Sequence, residues 1–288
     1  MNNVKLAVSI IIVGYRSQPV LPDCFDAILK QVGCASELIY VENCPEYSAK
    51  VLVNEKYPFI KVIESEKNAG FGAGCNLGAR DAKGDYLLFL NPDAEIKTID
   101  TLKNMVDFMQ AHPQVGVSAP LFSQLDETSL YGVQGRDIST SYSGQKEVGL
   151  QFHALPGDIA WVCGAALMIP KCLFEKIGGF DEQYFMYSED VDLCLTVRKA
   201  GFSIAQVMNT NVMHRGSEST KSWGTSQMIY RTTASDFLFT QKHYTPEQHA
   251  RIWKKRKRRY SLHLIANIFL NWRKFSRYLM QLRAIMRA

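Results

Sequence analysis

The stretch Val8-Ser9-Ile10-Ile11-Ile12-Val13 is rich in β-branched residues and shows no alternation of apolar and polar positions. A strand with one wet face alternates. A strand covered on both faces does not, and such strands belong to parallel sheets flanked by helices. The residues that follow fit that reading. Gly14-Tyr15-Arg16-Ser17 has loop chemistry, and residues 22–32 carry apolar side chains at helical spacing (Phe25, Ile28, Leu29, Val32). Residues 38–41 read as a second short strand ending at Glu42-Asn43, and 59–63 as a third. The glycine-rich segment Lys67-Asn68-Ala69-Gly70-Phe71-Gly72-Ala73-Gly74-Cys75-Asn76 then leads into a helix reaching about residue 82. Tyr86–Leu90 is a fourth strand, broken by Asn91-Pro92-Asp93-Ala94-Glu95. Strands alternating with helices predict an α/β fold with a mostly parallel sheet and helices on both faces. Ligands of such sheets bind beyond the carboxyl ends of the strands, where Gly14, Glu42 and Asp93 all fall.

Further along, a helix is expected over 99–109 and a strand over 115–119. The polar, aperiodic stretch 123–149 reads as a lid or recognition loop. Residues 159–169 are apolar and β-like, and Gly164 among them permits close approach of a ligand or a neighbouring backbone. A strand over 202–207, the segment Asn211-Val212-Met213-His214, and helices from about 226 complete the body.

Acidic residues concentrate at Ser188-Glu189-Asp190-Val191-Asp192, just where an apolar pattern of helical period begins. Ser188 is the expected N-cap, and Arg198, Lys199 and Gly201 mark the other end. Acids in a first helical turn commonly satisfy free N–H groups and the helix dipole. A second role for Asp190 is to take a proton from a substrate hydroxyl.

Composition narrows the field. The 288-residue chain is 47% hydrophobic, enough for a large core. Its seven cysteines are scattered without a C-x-x-C pair, which argues against a disulfide framework or a structural zinc site and for a reducing, cytoplasmic setting. No secretory signal or membrane-spanning run is expected. The glycines at 70, 72, 74 and 78 do not form G-x-G-x-x-G, so a dinucleotide site is not indicated. Asp93 follows a buried strand through a proline; alone it reads as a turn residue, and His214 alone as a structural histidine. Together a carboxylate and an imidazole suit Mg²⁺ or Mn²⁺ on a diphosphate, with room left for phosphate oxygens.

The ordered set Val8-Ser9-Ile10-Ile11-Ile12-Val13, Asn68-Ala69-Gly70-Phe71-Gly72, Asn91-Pro92-Asp93, Trp161-Val162-Cys163-Gly164-Ala165, Gly178-Gly179-Phe180-Asp181-Glu182 and Ser188-Glu189-Asp190-Val191-Asp192-Leu193 resembles family 2 glycosyltransferases of the GT-A fold, over roughly residues 6–216. The resemblance is strongest to the bacterial rhamnosyltransferase-like branch, which builds O-antigens and other cell-surface polysaccharides. It implies a Rossmann-like central sheet and an inverting single displacement. It also makes Asp93 the metal-binding acid of an Asp-x-Asp-type motif whose first position is Asn91, Asp190 the general base, and His214 a partner in the metal or diphosphate site. By the same resemblance Gly14, Tyr15, Glu42, Gly70, Asn76 and Asn91 lie on the nucleotide side, with Glu42 standing where the family usually has aspartate. Trp161, Gly164 and Glu189 belong to the donor-sugar and acceptor region. The implied donor is dTDP-L-rhamnose, with a UDP-hexose or UDP-N-acetylhexosamine as the alternative, and the implied acceptor is a glycan or lipid-linked oligosaccharide. A silent nucleotide-sugar-binding module is the reading from another class; the joint presence of Asp93, Asp190 and His214 argues against it.

The remaining feature is charge. Twelve Lys/Arg and no Asp/Glu lie in residues 251–288, leaving 21 basic against 28 acidic residues before them, a net of −7. Residues 1–240 are therefore expected to form the GT-A domain and 241–288 a basic C-terminal helical extension. Leu262, Ile265, Phe269, Trp272, Phe275, Leu279, Leu282 and Met286 recur at steps of three and four, as on one helical face. That face suits the anionic surface of a membrane, at the inner face of the cell membrane, or packing on the body or in a homodimer. A nucleic-acid partner is disfavoured by the acidic body and the lack of a recognition motif.

Overall fold

β1 (Val8–Gly14) is buried at every position, as its unbroken apolar run requires. It lies between β2 (Ser36–Glu42) and β4 (Tyr86–Leu90), parallel to both, and β3 (Lys61–Glu64) extends the parallel set beyond β2. The computed structural model describes residues 6–123, 130–131, 133–135, 155–216, 225–266 and 272–287. Beyond β4 the sheet continues through β10 (Ala166–Pro170), β6 (Val115–Ser123), β11 (Ser203–His214) and β5 (Ala94–Ile96). β10 is antiparallel to both β4 and β6, and β5 is antiparallel to β11, while β6 and β11 are parallel. The sheet is thus mixed but mostly parallel. Because β10 runs backwards, its first residue, Ala166, pairs with Leu90 at the edge where β1, β2 and β4 end.

Two segments of the polar 123–149 stretch are strands: β7 (Leu130–Tyr131) pairs with β6, and β8 (Val133–Gly135) pairs with β9 (Ile159–Val162) in a separate ribbon. Most of the expected lid lies outside the described residues. The 159–169 run is not one strand but two, β9 and β10, separated by a turn at Cys163-Gly164-Ala165. Residues 211–214, expected as a separate segment, are the end of β11.

The helices in chain order are α1 (Leu21–Leu29), α2 (Lys50–Lys56), α3 (Phe71–Arg80), α4 (Thr101–Ala111), α5 (Lys171–Lys176), α6 (Glu189–Lys199), α7 (Thr225–His243), α8 (Pro246–Ala266) and α9 (Trp272–Arg287). The glycine-rich segment is largely α3 itself rather than the loop before it. A Cβ at Gly74 would stand 2.6 Å from a Val13 methyl, and one at Gly78 would stand 2.6 Å from a methyl of Ile11. Glycine costs about 1 kcal/mol in a helix. Here it lets α3 lie directly on β1.

A second apolar cluster joins Val191 and Leu195 of α6 to Phe239 of α7, to Tyr244, to Ile252, Trp253 and Tyr260 of α8, and to Ile285 of α9. This changes the picture of the C-terminal extension. The boundary expected at 240/241 falls inside α7. The single apolar face expected from Leu262 to Met286 is divided between two helices, and α9 packs against α7 and α8. Arg256, one of the basic run, points inward to Asp236 at 2.8 Å and lies over the Trp253 ring. Among the described residues no helix is long and apolar enough to cross a membrane.

Candidate active site

One short turn holds the site together. Asn91, just past the end of β4, donates its N–H to the Ala165 carbonyl at 2.8 Å. One residue earlier, the Gly164 N–H donates to Asp190 Oδ2 at 2.9 Å. The turn between β9 and β10 therefore brings the Asn91-Pro92-Asp93 corner and the first turn of α6 to the same edge of the sheet. A Cβ on Gly164 would meet Asp190 Cβ at 3.2 Å and Oδ2 at 3.4 Å, so a side chain there would displace the carboxylate. Cys163 reports the same convergence. Burial first, then the nearby Asp190 carboxylate, push its thiol up to about 12, which makes it a poor nucleophile.

Asp93 is 4% exposed, and its Oδ1 lies 3.3 Å from His214 Nε2, which is also 3.3 Å from the Asn91 amide nitrogen. The pairing of β11 with β5 sets this distance, because His214 pairs with Ala94. The Asp93 carbonyl also accepts the Arg215 N–H, while the Arg215 guanidinium bonds Glu95 at 3.1 Å and reaches Asp23. Two ligands on adjacent vertices of an octahedral ion, each about 2.1 Å from it, stand about 3 Å apart. The Asp93–His214 pair meets that spacing. Among the described residues no group of three His, Cys, Asp or Glu side chains gathers around a common point, so the remaining vertices would fall to phosphate oxygens or water. The donor set thus fits a hard divalent cation that arrives with a diphosphate.

Glu189 and Asp190 open α6 with different surroundings. Asp190 is half-buried; burial raises its carboxyl above the ordinary range, while N–H groups of Gly164 and Val191 (both 2.9 Å) stabilise the charged form. Glu189 is 7% exposed, and its Oε2 has no hydrogen-bond partner among the described residues. Burial, and then the neighbouring Asp190 charge, push its carboxyl well up. Glu189 is therefore the more strongly raised of the pair, and the N–H donors favour the negative charge on Asp190. When environment separates two carboxylates in this way, the one with more donors keeps the charge.

The turn ahead of α6 is strained. Tyr187 (φ 72°) and Ser188 (φ 69°) both sit in the left-handed region without being glycine, at a cost of about 1–2 kcal/mol each. Ser188 precedes the helix as expected but makes no side-chain cap, and Asp190 Oδ1 receives the Val191 N–H instead. Ser235 of α7 holds the turn through the Met186 carbonyl at 2.8 Å. Phe71 donates its N–H to the Phe185 carbonyl, against which Gly70 (φ 99°) leaves no room for a Cβ.

The model of the family described as "Glycosyl transferase family 2" matches residues 9–178. The chain belongs to this family. Asp190 and His214 lie beyond the matched segment. A Mycobacterium tuberculosis N-acetylglucosaminyl-diphospho-decaprenol L-rhamnosyltransferase is 29% identical over 195 residues, 58% of this chain and 62% of that protein. The Escherichia coli rhamnosyltransferase WbbL is 28% identical over 161 residues, 50% of this chain and 60% of its own. In both cases the shared segment is less than two thirds of the relative. A Pyrobaculum calidifontis mannosyltransferase, PcManGT, solved with GDP-Man and Mn²⁺, superposes with a TM-score of 0.58 at 18% identity, covering 99% of this chain and 76% of that one. The mixed, mostly parallel sheet with its C-terminal helices is the GT-A fold.

Against this family 2 framework, the residues expected on the nucleotide side divide into two groups. Gly14 and Tyr15 lie at the end of β1, and Gly14 has no space for a Cβ beside the Tyr40 hydroxyl. Glu42 and Asn76, the second group, bond to the protein's own backbone. Glu42 is 1% exposed, and its carboxylate accepts N–H groups of Cys44 (3.0 Å) and Ala49 (2.6 Å) and the Tyr40 hydroxyl (3.1 Å), so it shapes the 43–49 loop. Asn76 also has a structural task. Its amide brackets the Phe180 backbone, accepting the N–H at 2.9 Å and donating to the carbonyl at 2.8 Å, and it donates to Glu182. Trp161 lies on β9, paired with Gln134. Sequence reading missed Asn43, which donates to the Gly70 carbonyl and accepts the Ala69 N–H, tying the β2 end to the α3 entry. It also missed the partners of Asp192: Lys242 (2.8 Å), His243 (2.6 Å) and the Tyr184 hydroxyl (3.1 Å).

Proposed function

We propose that the chain is an inverting glycosyltransferase that moves a sugar from a nucleoside diphosphate to a glycan or lipid-linked glycan acceptor, with dTDP-L-rhamnose as the first-choice donor. The observation that carries this reading is the 163–165 turn, which bonds both to the base candidate and to the corner bearing Asp93. In the reaction, Asp190 accepts the acceptor hydroxyl proton as that oxygen bonds to the anomeric carbon. The bond from that carbon to the diphosphate oxygen breaks on the opposite face, and no covalent enzyme intermediate forms. Gly164 fixes the base through its N–H, and Glu189 holds a proton beside it. Asp93 and His214, with Asn91 alongside, would hold Mg²⁺ or Mn²⁺, which supplies positive charge against the departing diphosphate. The two rhamnosyltransferase relatives support the choice of donor. A lipid-linked acceptor would place the reaction at the inner face of the cell membrane.

The test is a panel of nucleotide sugars read by thermal shift with and without Mn²⁺, because a ligand raises apparent stability by mass action. dTDP-L-rhamnose is expected to give the largest metal-dependent shift. A larger shift with a UDP-hexose or UDP-N-acetylhexosamine reassigns the donor, and no shift with any sugar nucleotide refutes the reading. Asp190→Asn is expected to keep the shift and lower turnover about 10²–10⁴-fold, the usual worth of a general base.

A further inference from the structure

The outer stripe of α8 is the feature that the transfer reaction leaves unused. Arg251, Lys254, Lys255, Arg258, Leu262 and Ile265 fall along one side of the helix, and all are exposed. The opposite side, Ile252, Trp253 and Tyr260, is buried in the cluster that includes Val191 and Leu195. The stripe changes character along its length. Its first two thirds are cationic, and it ends in two bare aliphatic side chains, Leu262 at 57% and Ile265 at 68% exposure. None of Arg251, Lys254, Lys255, Lys257, Arg258 and Arg259 forms an ion pair among the described residues. Like charges four apart on a helix repel, and here 251/255, 254/258 and 255/259 do so with no acid between them. A solvated helix face ordinarily intersperses both signs. A partner bearing a dense sheet of negative charge would relieve the repulsion, and one that also accepts aliphatic side chains at its margin has the chemistry of a lipid bilayer.

We propose that this stripe docks the protein on an anionic lipid surface, with the cations on the headgroup phosphates and Leu262 and Ile265 set into the acyl boundary. The inference does not depend on the proposed transfer. It places the contact on the outward side of α8 and corrects the expectation of one long amphipathic helix, since Ile285 of α9 faces the body. Lipid is favoured over nucleic acid because of the aliphatic end, which a phosphodiester backbone would leave in water.

The test uses the full chain, co-sedimented with phosphatidylcholine vesicles with and without phosphatidylglycerol. Binding is expected only with phosphatidylglycerol, and it should fall as salt is raised. Lys254→Ala, Lys255→Ala and Arg258→Ala together are expected to weaken it on the order of 100-fold, from three lost charges near the surface. Leu262→Ser with Ile265→Ser is expected to weaken it with the charge unchanged. Equal or absent binding to both vesicle types overturns the proposal, as does a triple variant that binds like the parent. Two other results also overturn it: a parent dimer that the Leu262→Ser/Ile265→Ser variant dissociates, and tighter binding to an oligonucleotide than to vesicles at equal salt.

Discussion

Glu189 and Asp190 are adjacent, yet among the described residues only Asp190 receives an N–H from outside its own helix. The consequence is a pH dependence with a definite sign. Burial raises the Asp190 carboxyl, and the proposed base would work only when ionised, so turnover should rise with pH through a limb lying above the ordinary Asp value of about 3.9. If Glu189 stays protonated across that limb, Glu189→Gln should leave its midpoint in place. A midpoint moved to lower pH would show that Glu189 carries negative charge. That Asp93, Asp190 and Gly164 meet at one edge of the sheet was legible because short motifs tied them to strand ends and a helix start. The backbone bonds of Glu42 and Asn76 were not legible, because they depend on donors brought in by folding, such as Ala49 and Phe180.

At the scale of elements, α6 is held from behind by α7. Burial alone would raise the Asp192 carboxyl, but hydrogen bonds from His243 and Lys242 overcome it and hold it below the usual range. A carboxyl depressed on folding adds stability above its unfolded pKa and loses it as pH falls through the folded one. Asp192→Ala should therefore destabilise by about 3 kcal/mol near neutral pH, as expected when one member of a buried ion pair is removed. The difference from the parent should shrink on acidification, and denaturant melts at two pH values check both points. The sequence showed Asp192 only as a first-turn acid, because partners 50 and 51 positions away leave no local signature. The strands were easier to read: β1, β2 and β4 needed only their apolar runs. The reversal of β10 was hidden, because a buried strand looks the same in either direction.

For the molecule as a whole, the C-terminal helices complete the apolar packing around α6. Deleting residues 245–288 removes Ile252, Trp253, Tyr260 and Ile285 from the cluster around Val191 and Leu195. At roughly 1.5–3 kcal/mol for each large side chain buried, the loss should be at least about 5 kcal/mol. Chemical denaturation of the truncated chain should show it, and an unchanged midpoint would mean that the extension folds apart from the body. The sequence announced this region by its charge, which belongs to the outer stripe, and concealed the inner one, whose apolar residues are thinned out among lysines and arginines. The contact between Asp192 and the end of α7 also sets a rule for recombining this chain with its relatives. A crossover anywhere between 200 and 240 would take the acid from one parent and its lysine and histidine from the other. Productive hybrids will be those that inherit the two ends of that contact from a single ancestor.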